Sequence, residues 1–201
     1  MRDLVVGSRG SRLALAQAEW VVARLREQGL QARLEIVRTE GDRLPTAPLH
    51  EIGGEGVFVK EIQTALLAGS IDLAVHSLKD LPTGGTEGLA VVAIPERADP
   101  RDLLVAPGAP ATLRALPTGA RVGTGSPRRV AQARRIRPDL AFVPIRGNVD
   151  TRLDKRRRGE CDALILAAAG IARLSASVEG APLPPEEMLP AVGQGALAIE
   201  A

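Results

Sequence analysis

Short apolar runs alternate along the chain with longer segments in which apolar residues recur every three or four positions. The short runs predict strands, and they occupy residues 4–7, 32–38, 71–75, 89–94, 103–105, 121–123, 140–143, 163–166 and 196–199. The longer segments predict helices that begin near residues 11 and 57 and that span about 127–137 and 148–158. This order of elements predicts an α/β fold whose sheets are mainly parallel and flanked by helices.

Two proline-bounded polar stretches interrupt this pattern, at residues 95–100 and 182–185. The last predicted strand lies beyond the second stretch and has no neighbouring strand of its own, so we expect it to return to the first sheet. The chain then crosses twice between two lobes. We assign residues 1–96 with 189–201 to lobe 1 and residues 97–188 to lobe 2, and we expect a cleft between them.

The composition of the 201 residues excludes several kinds of protein and site. The single cysteine, Cys161, excludes a disulfide framework and a multi-cysteine zinc site, and we expect no metal. No apolar run reaches the ~18 residues of a membrane span, and the start of the chain lacks the apolar stretch of a signal peptide. We therefore expect a cytoplasmic protein.

Arginine is concentrated in one segment of the chain. Residues 121–158 carry eleven arginines and one lysine against three aspartates, a net charge of +9, whereas the rest of the chain carries −7. A guanidinium group offers a planar fork that matches a carboxylate or a phosphate. The segment is therefore a candidate anion site, although a solvated basic face would have the same composition.

Two similar segments join a predicted strand to a predicted helix through a small polar turn. VGSRGSRLALAQA (6–18) and VGTGSPRRVAQA (122–133) place Ser11 and Ser126, respectively, at the start of the helix. In the second segment, Pro127 suits the first helical position. Each helix start presents free backbone N–H groups and a partial positive charge, which attract anions.

Two further loops follow predicted strands, where ligands gather in open α/β sheets. The first contains His76, Lys79 and Asp80, which form either a functional loop or a surface ion pair beside a structural histidine. The second contains Arg146, with Arg152 further along the following helix. The position of these two arginines favours contact with a ligand.

Seven segments together resemble the porphobilinogen deaminase (hydroxymethylbilane synthase) family, in that family's order and over nearly the whole chain. They are SRGSRLALAQA (8–18), GVFVKEIQ (56–63), HSLKDLP (76–82), VGTGSPRR (122–129), IRGNVDTRL (145–153), LILAAAGIARL (164–174) and LPAVGQGALAIE (189–200). The resemblance implies two lobes like those of type II periplasmic binding proteins, with a catalytic cleft. It also implies a transferase of heme and porphyrin biosynthesis, which condenses four porphobilinogen molecules into the linear tetrapyrrole hydroxymethylbilane and releases ammonia.

The resemblance also implies roles for individual residues. Asp80, in lobe 1, matches the catalytic aspartate, whose carboxylate stabilises the positive charge left on a pyrrole when ammonia departs. The residues that bind carboxylates of the substrate or cofactor are Arg9, Ser11, Lys79, Thr124, Ser126, Arg128, Arg129, Arg146, Arg152, Arg173 and Gln194. Lobe 2 is then the arginine-rich, carboxylate-binding lobe, and Gln194 in the second crossing serves as a ligand contact or as a hinge.

The sequence departs from the family pattern in three places. Glu55 stands in GGEGVF where the family usually has lysine, which leaves one anion contact of that loop unsupported. Gly125-Ser126-Pro127 stands where Ser-Ser-Leu is common, which removes one hydroxyl donor. The chain ends at Ala201, where the family continues into a third domain whose cysteine holds a covalent dipyrromethane cofactor. Cys161 does not match that cysteine, so we expect these residues to be the two lobes without the cofactor-bearing domain.

Two other interpretations remain open from the sequence. A two-lobed module that binds small anions without catalysis would use the same turns and crossings. Binding of RNA or DNA through residues 121–158 would consist chiefly of phosphate contacts, because two phenylalanines, one tryptophan and no tyrosine leave few stacking surfaces. We expect a monomer that acts on porphobilinogen and binds neither nucleic acid nor a membrane, with weak or absent turnover in the absence of the third domain.

Overall fold

The computed structural model of the chain describes residues 2–38 and 59–201. The chain forms two compact units. Unit 1 contains Met1–Arg97 together with Ala196–Ala201, and unit 2 contains Ala98–Gly195. No helix within the described ranges is both long enough and apolar enough to cross a membrane.

The second chain crossing lies later in the sequence than the boundary assigned above. The structure groups residues 189–195 with unit 2, because their backbone and side chains bond to the start of that unit. Gln194 Nε2 donates to the carbonyl oxygen of Pro100 at 2.7 Å. The backbone N–H of Ala98 donates to the carbonyl oxygen of Gly195 at 3.1 Å. These bonds fasten the two crossing segments of unit 2, residues 98–102 and 189–195, to each other.

The described helices and strands alternate in both units. Unit 1 contains β1 (Leu4–Ser8), α1 (Arg12–Glu27), β2 (Ala32–Ile36), α2 (Lys60–Leu67), β3 (Leu73–Ser77), β4 (Val91–Ala93) and β10 (Leu197–Glu200). Unit 2 contains β5 (Asp102–Val105), β6 (Arg121–Gly123), α3 (Pro127–Ile136), β7 (Ala141–Val143), α4 (Val149–Arg157), β8 (Ala163–Ala167), α5 (Ala168–Arg173) and β9 (Gly180–Pro182). Short 3-10 turns occupy Leu78–Asp80 and Leu113–Ala115.

Each unit is built on a five-stranded sheet in which one strand runs against the other four. The orders are β2-β1-β3-β10-β4 in unit 1 and β7-β6-β8-β5-β9 in unit 2. Strand β10 is antiparallel to both its neighbours, and so is β5, whereas the remaining pairs are parallel. The predicted α/β fold is confirmed, and the last strand does return to the first sheet.

The two reversed strands begin at the edge of the sheet where the parallel strands end. Leu197 of β10 pairs with Ser77, the last residue of β3. Asp102 of β5 pairs with Ala167, the last residue of β8. Each segment that crosses between the units therefore enters the next sheet at the carboxyl ends of its parallel strands. Open α/β sheets bind ligands at this edge.

Helices cover both faces of the central strands of each sheet, and alternate side chains of a strand point to opposite faces. Val6 of β1 packs in the cluster that includes α1, and Val5 packs in the cluster that includes α2. In unit 2, Leu104 of β5 packs with Ala133 of α3, and Leu103 packs with α4. Strands buried on both faces read as continuous apolar runs, which explains why the central strands were visible in the sequence.

The sequence prediction differs from the structure in a few elements. Strand β3 begins at Leu73 rather than residue 71, because Ile71 packs beneath α2 and the Asp72 carboxylate accepts the backbone N–H of Val5 at 2.8 Å. Helix α5 was not predicted, since it continues the apolar run of β8 and four of its residues are buried. The predicted helix start at Val57 and the glycine cluster with Glu55 lie outside the described residues.

Candidate functional site

In unit 1, the candidate residues lie on two turns that follow adjacent parallel strands, β1 and β3. Ser11 caps α1, because its hydroxyl oxygen accepts the backbone N–H of Ala14 at 3.4 Å. Gln17 of α1 donates through Nε2 to Ser77 Oγ at 3.1 Å, which joins the helix to the end of β3. The candidate residues on these turns are Arg9, Ser11, Lys79 and Asp80. The structure therefore brings all four to one edge of the unit 1 sheet.

Lys79 and Asp80 are exposed in the 3-10 turn, whereas His76 is buried. His76 Nε2 lies 3.2 Å from Glu200 Oε2, and Gln63 Nε2 donates to Glu200 Oε1 at 2.9 Å. Burial raises the pKa of the Glu200 carboxyl, but His76 and Gln63 outweigh that effect and hold the pKa below its usual value. These contacts support a structural role for His76 beneath the turn that presents Asp80.

In unit 2, the turns after β6 and β7 lie side by side. The backbone N–H of Thr124 donates to the carbonyl oxygen of Val143 at 3.0 Å. Thr124 is buried, and its hydroxyl accepts the backbone N–H of Ser126 at 3.2 Å. Ser126 and Pro127 take the N-cap and first helical positions of α3, as predicted. An open depression of about 350 Å³ lies over this helix start, with Arg134 and Pro144 on its rim.

The two arginines that begin α3 converge on one carboxylate that sequence reasoning missed. Asp102 is fully buried. Its Oδ1 accepts Arg129 Nη2 at 2.7 Å and Nε at 3.2 Å, and its Oδ2 accepts Arg128 Nη2 at 2.7 Å. Arg129 Nη1 also donates to the carbonyl oxygen of Ile165 at 2.9 Å, so this buried side chain has protein partners on all three nitrogens. Arg128 remains partly exposed and donates through Nη1 to the carbonyl oxygen of Leu189.

Gln194 and Arg173 donate hydrogen bonds to the two crossing segments of unit 2. Gln194 Nε2 donates to Asp102 Oδ1 at 2.8 Å, and Arg173 Nη2 donates to the carbonyl oxygen of Gly195 at 2.7 Å. Burial raises the pKa of the Asp102 carboxyl, but Arg129, Arg128 and Gln194 together hold it below its usual value. Burial lowers the pKa of the Arg173 guanidinium. Gln194 thus links the second crossing segment to the carboxylate that holds the α3 arginines.

Arg146 and Arg152 lie at the carboxyl end of β7 and in the first half of α4. Both side chains are half-buried. The carboxamide oxygen of Asn148 caps α4 by accepting the backbone N–H of Thr151 at 2.8 Å. Arg152 Nε donates to the carbonyl oxygen of Gly147 at 2.7 Å, so its guanidinium turns back toward the loop that carries Arg146.

Cys161 lies in the core of unit 2, against Ile145 and Leu164. Burial raises the pKa of its thiol, which disfavours the reactive thiolate. Among residues 2–38 and 59–201, no group of three His, Cys, Asp or Glu side chains is arranged to hold a metal ion.

Only a weak signal in the sequence pointed to Asp102. It is an acidic residue at the start of the apolar run 102–105, which would also fit a solvated strand end. Its importance depends on the reversed direction of β5, which sets Asp102 beside the end of β8.

Comparison with known proteins identifies the family. The family model described as porphobilinogen deaminase, dipyromethane cofactor binding domain, matches residues 4–201. The chain belongs to the porphobilinogen deaminase family. The porphobilinogen deaminase of Acidothermus cellulolyticus is 56% identical over 98% of this chain, and that of Geobacter sulfurreducens is 49% identical over 100% of it. The chain spans 60% and 63% of the length of these two relatives.

Solved structures support the two-lobed fold. A second substrate binding domain of a putative amino acid ABC transporter from Streptococcus pneumoniae has a TM-score of 0.57 at 12% identity, covering 100% of this chain and 84% of that one. The periplasmic sulfonate-binding protein SsuA from Methylobacillus flagellatus has a TM-score of 0.52 at 14% identity, covering 100% and 61%. At these identities the likeness concerns the fold alone, and it confirms the expected similarity to periplasmic binding proteins.

Proposed function

We propose that the chain supplies the substrate-binding and catalytic residues of a porphobilinogen deaminase, a transferase that condenses four porphobilinogen molecules into hydroxymethylbilane with release of ammonia. The observation that carries this proposal is the family match over residues 4–201, which includes every turn that bears a candidate residue. We further propose that the protein is cytoplasmic and monomeric, and that it binds neither nucleic acid nor membranes.

The arginines suit a substrate of this kind. Porphobilinogen carries an acetate and a propionate group, so a growing chain of pyrroles accumulates carboxylates. Each charged hydrogen bond from a guanidinium to a carboxylate contributes about 1.5–3 kcal/mol. Arg128, Arg146 and Arg152 are partly exposed at strand and helix ends of unit 2, which supports a role in holding these groups. Arg9, Ser11, Lys79, Thr124, Ser126, Arg173 and Gln194 complete the proposed set, and Arg129, which is buried with all three nitrogens engaged, contributes to it by holding Asp102.

Asp80 is the proposed catalytic residue. When the aminomethyl group of porphobilinogen loses its amino group as ammonia, the remaining methylene-pyrrole is an electron-poor azafulvene whose positive charge extends to the ring nitrogen. A carboxylate next to that nitrogen stabilises the charge as it develops and accepts or returns a proton. The exposed position of Asp80 at the end of β3 supports this role, since a substrate can reach it there.

The dipyromethane cofactor named in the family description fits this chain only in part. Its acidic side chains suit the partly exposed guanidinium groups of Arg128 and Arg146, which would hold it. Covalent attachment does not fit Cys161, because that thiol is 2% exposed inside the core of unit 2. When bound, the cofactor supplies the pyrrole end to which substrate is added.

Calorimetry of the 201-residue chain with porphobilinogen tests the proposal. We expect binding that weakens with added salt and that exceeds the binding of sulfate and of simple amino acids. An assay of ammonia release from porphobilinogen by a chimera, in which residues 4–201 replace the matching part of the Acidothermus cellulolyticus relative, separates the proposal from a small-anion binding module, because such a module would bind without turnover. Equal affinity for sulfate and porphobilinogen would contradict the proposal, as would tighter binding of random-sequence oligonucleotides.

A further inference from the structure

We propose that Asp102 is a positioning residue, which holds the guanidinium of Arg128 in the orientation that binds a substrate carboxylate. This inference rests on the proposed function. It assigns to the buried carboxylate of unit 2 a role that acts entirely through Arg128.

The hydrogen bonds of Arg128 show how the orientation is fixed. An arginine side chain has five N–H donors in one plane. Arg128 uses one on Nη2 for Asp102 Oδ2, at 2.7 Å, and one on Nη1 for the carbonyl oxygen of Leu189. Two anchors on one rigid plane fix its direction, and three N–H donors remain for a ligand. The side chain is 26% exposed, so a carboxylate in solution can reach it.

Arg129 and Gln194 make Asp102 a rigid anchor. Both donate to Oδ1, which leaves Oδ2 directed at Arg128. Gln194 also donates to the carbonyl oxygen of Pro100, so the anchor is tied to both crossing segments of unit 2. Arg128 is further tied to the second of these segments through Leu189.

The charge balance of Arg128, Arg129 and Asp102 allows an experiment to distinguish a positioning role from simple electrostatic attraction. Two guanidinium groups face one carboxylate, which leaves one net positive charge for an anionic ligand. Replacing Asp102 by asparagine raises that surplus to two. If attraction alone governed binding, the variant would bind carboxylates more tightly. If orientation governs, it binds them more weakly, since Arg128 loses its charged anchor.

The experiment is calorimetry of the 201-residue chain with porphobilinogen and, separately, with citrate as a plain carboxylate probe. We expect Asp102→Asn to bind about 10- to 100-fold more weakly, the range of one charged hydrogen bond. In an Arg128→Met background, the same replacement should have no further effect. Unchanged or tighter binding by Asp102→Asn would overturn the proposal. An equal loss with and without Arg128 would also overturn it, because a general structural defect behaves in that way.

Arg128→Lys provides a second variant that preserves the buried Asp102–Arg129 pair and therefore the fold. Lysine keeps the charge but lacks the planar fork, so Asp102 cannot fix the direction of its remaining donors toward a ligand carboxylate. We expect Arg128→Lys to bind about 10-fold more weakly than the wild type, and wild-type affinity would overturn the proposal. If citrate shows the expected pattern and porphobilinogen does not bind, the proposed substrate is wrong and the positioning role stands. If neither ligand binds the wild-type chain, the proposed substrate and the positioning role are both wrong.

Discussion

Gly123, the last residue of β6, has no room for a side chain, and Gly123→Ala tests the packing behind the α3 turn. A Cβ at this position would lie 2.7 Å from Ile145 Cγ1, 2.7 Å from Leu164 Cδ2 and 2.8 Å from Cys161 Sγ. These three residues are between 0% and 2% exposed, so none can move into solvent. Ordinary contacts between carbon atoms are about 3.5–4.0 Å, and each neighbour would have to shift by about 1 Å.

Overpacking of this kind costs about 1–3 kcal/mol, because a protein interior is close-packed. For a unit of about 100 residues, 1 kcal/mol lowers the melting temperature by about 4–8 °C. We expect thermal unfolding, followed by far-ultraviolet circular dichroism, to show a melting temperature lower by about 4–24 °C. The matched control is Gly84→Ala in unit 1, where an added Cβ meets nothing within 4 Å.

A compensating variant sharpens this test. Cys161→Ala removes the sulfur that the new methyl group would contact, so the double variant should lose less stability than the two single variants together. We expect a coupling free energy of about 0.5 kcal/mol or more. Additive effects, or a Gly123→Ala chain as stable as Gly84→Ala, would refute the packing that the structure gives to β6.

Three further predictions concern a helix cap, a buried carboxylate and a buried thiol. Asn148→Ala should lower the free energy of unfolding by about 1 kcal/mol in urea titrations, since it removes the cap of α4. The pKa of Glu200 in the folded chain lies below its ordinary 4.5. The ionised carboxylate therefore contributes its full stabilisation of the fold above pH 4.5, and this contribution is lost as the pH falls through the folded-state pKa. Urea titrations between about pH 3 and pH 6 should therefore show a weaker acid dependence in Glu200→Gln. Cys161 in the folded chain should resist thiol-labelling reagents, and rapid labelling would contradict its burial.

The sequence predicted those features that depend on local pattern. Apolar runs marked the central strands because these are buried on both faces, and the polar turns marked the ends of β1, β6 and β7. Ser126 and Pro127 identified the start of α3 because their chemistry suits the N-cap and first helical positions.

Features that depend on pairing between distant segments could not be predicted in this way. Asp102 meets Arg128 only because β5 runs against β8, and nothing near residue 102 encodes that direction. The sequence also assigned Arg129 to ligand binding by its motif, whereas its burial and its three engaged nitrogens follow from the fold. Glu200 lay just beyond the predicted strand 196–199, and its partners His76 and Gln63 lie on other elements.

Turnover by a chimeric enzyme tests whether Asp80 is the catalytic residue. Residues 4–201 would replace the matching part of the Acidothermus cellulolyticus relative, and hydroxymethylbilane formation from porphobilinogen would be measured at steady state. Asp80→Asn should slow turnover by about 100-fold or more, the usual contribution of a charge-stabilising or proton-transferring group, with unchanged circular dichroism. Asp3→Asn, the same change at another exposed position of unit 1, should stay within about twofold of the parent chimera. Near-parental turnover by Asp80→Asn would contradict its assigned role.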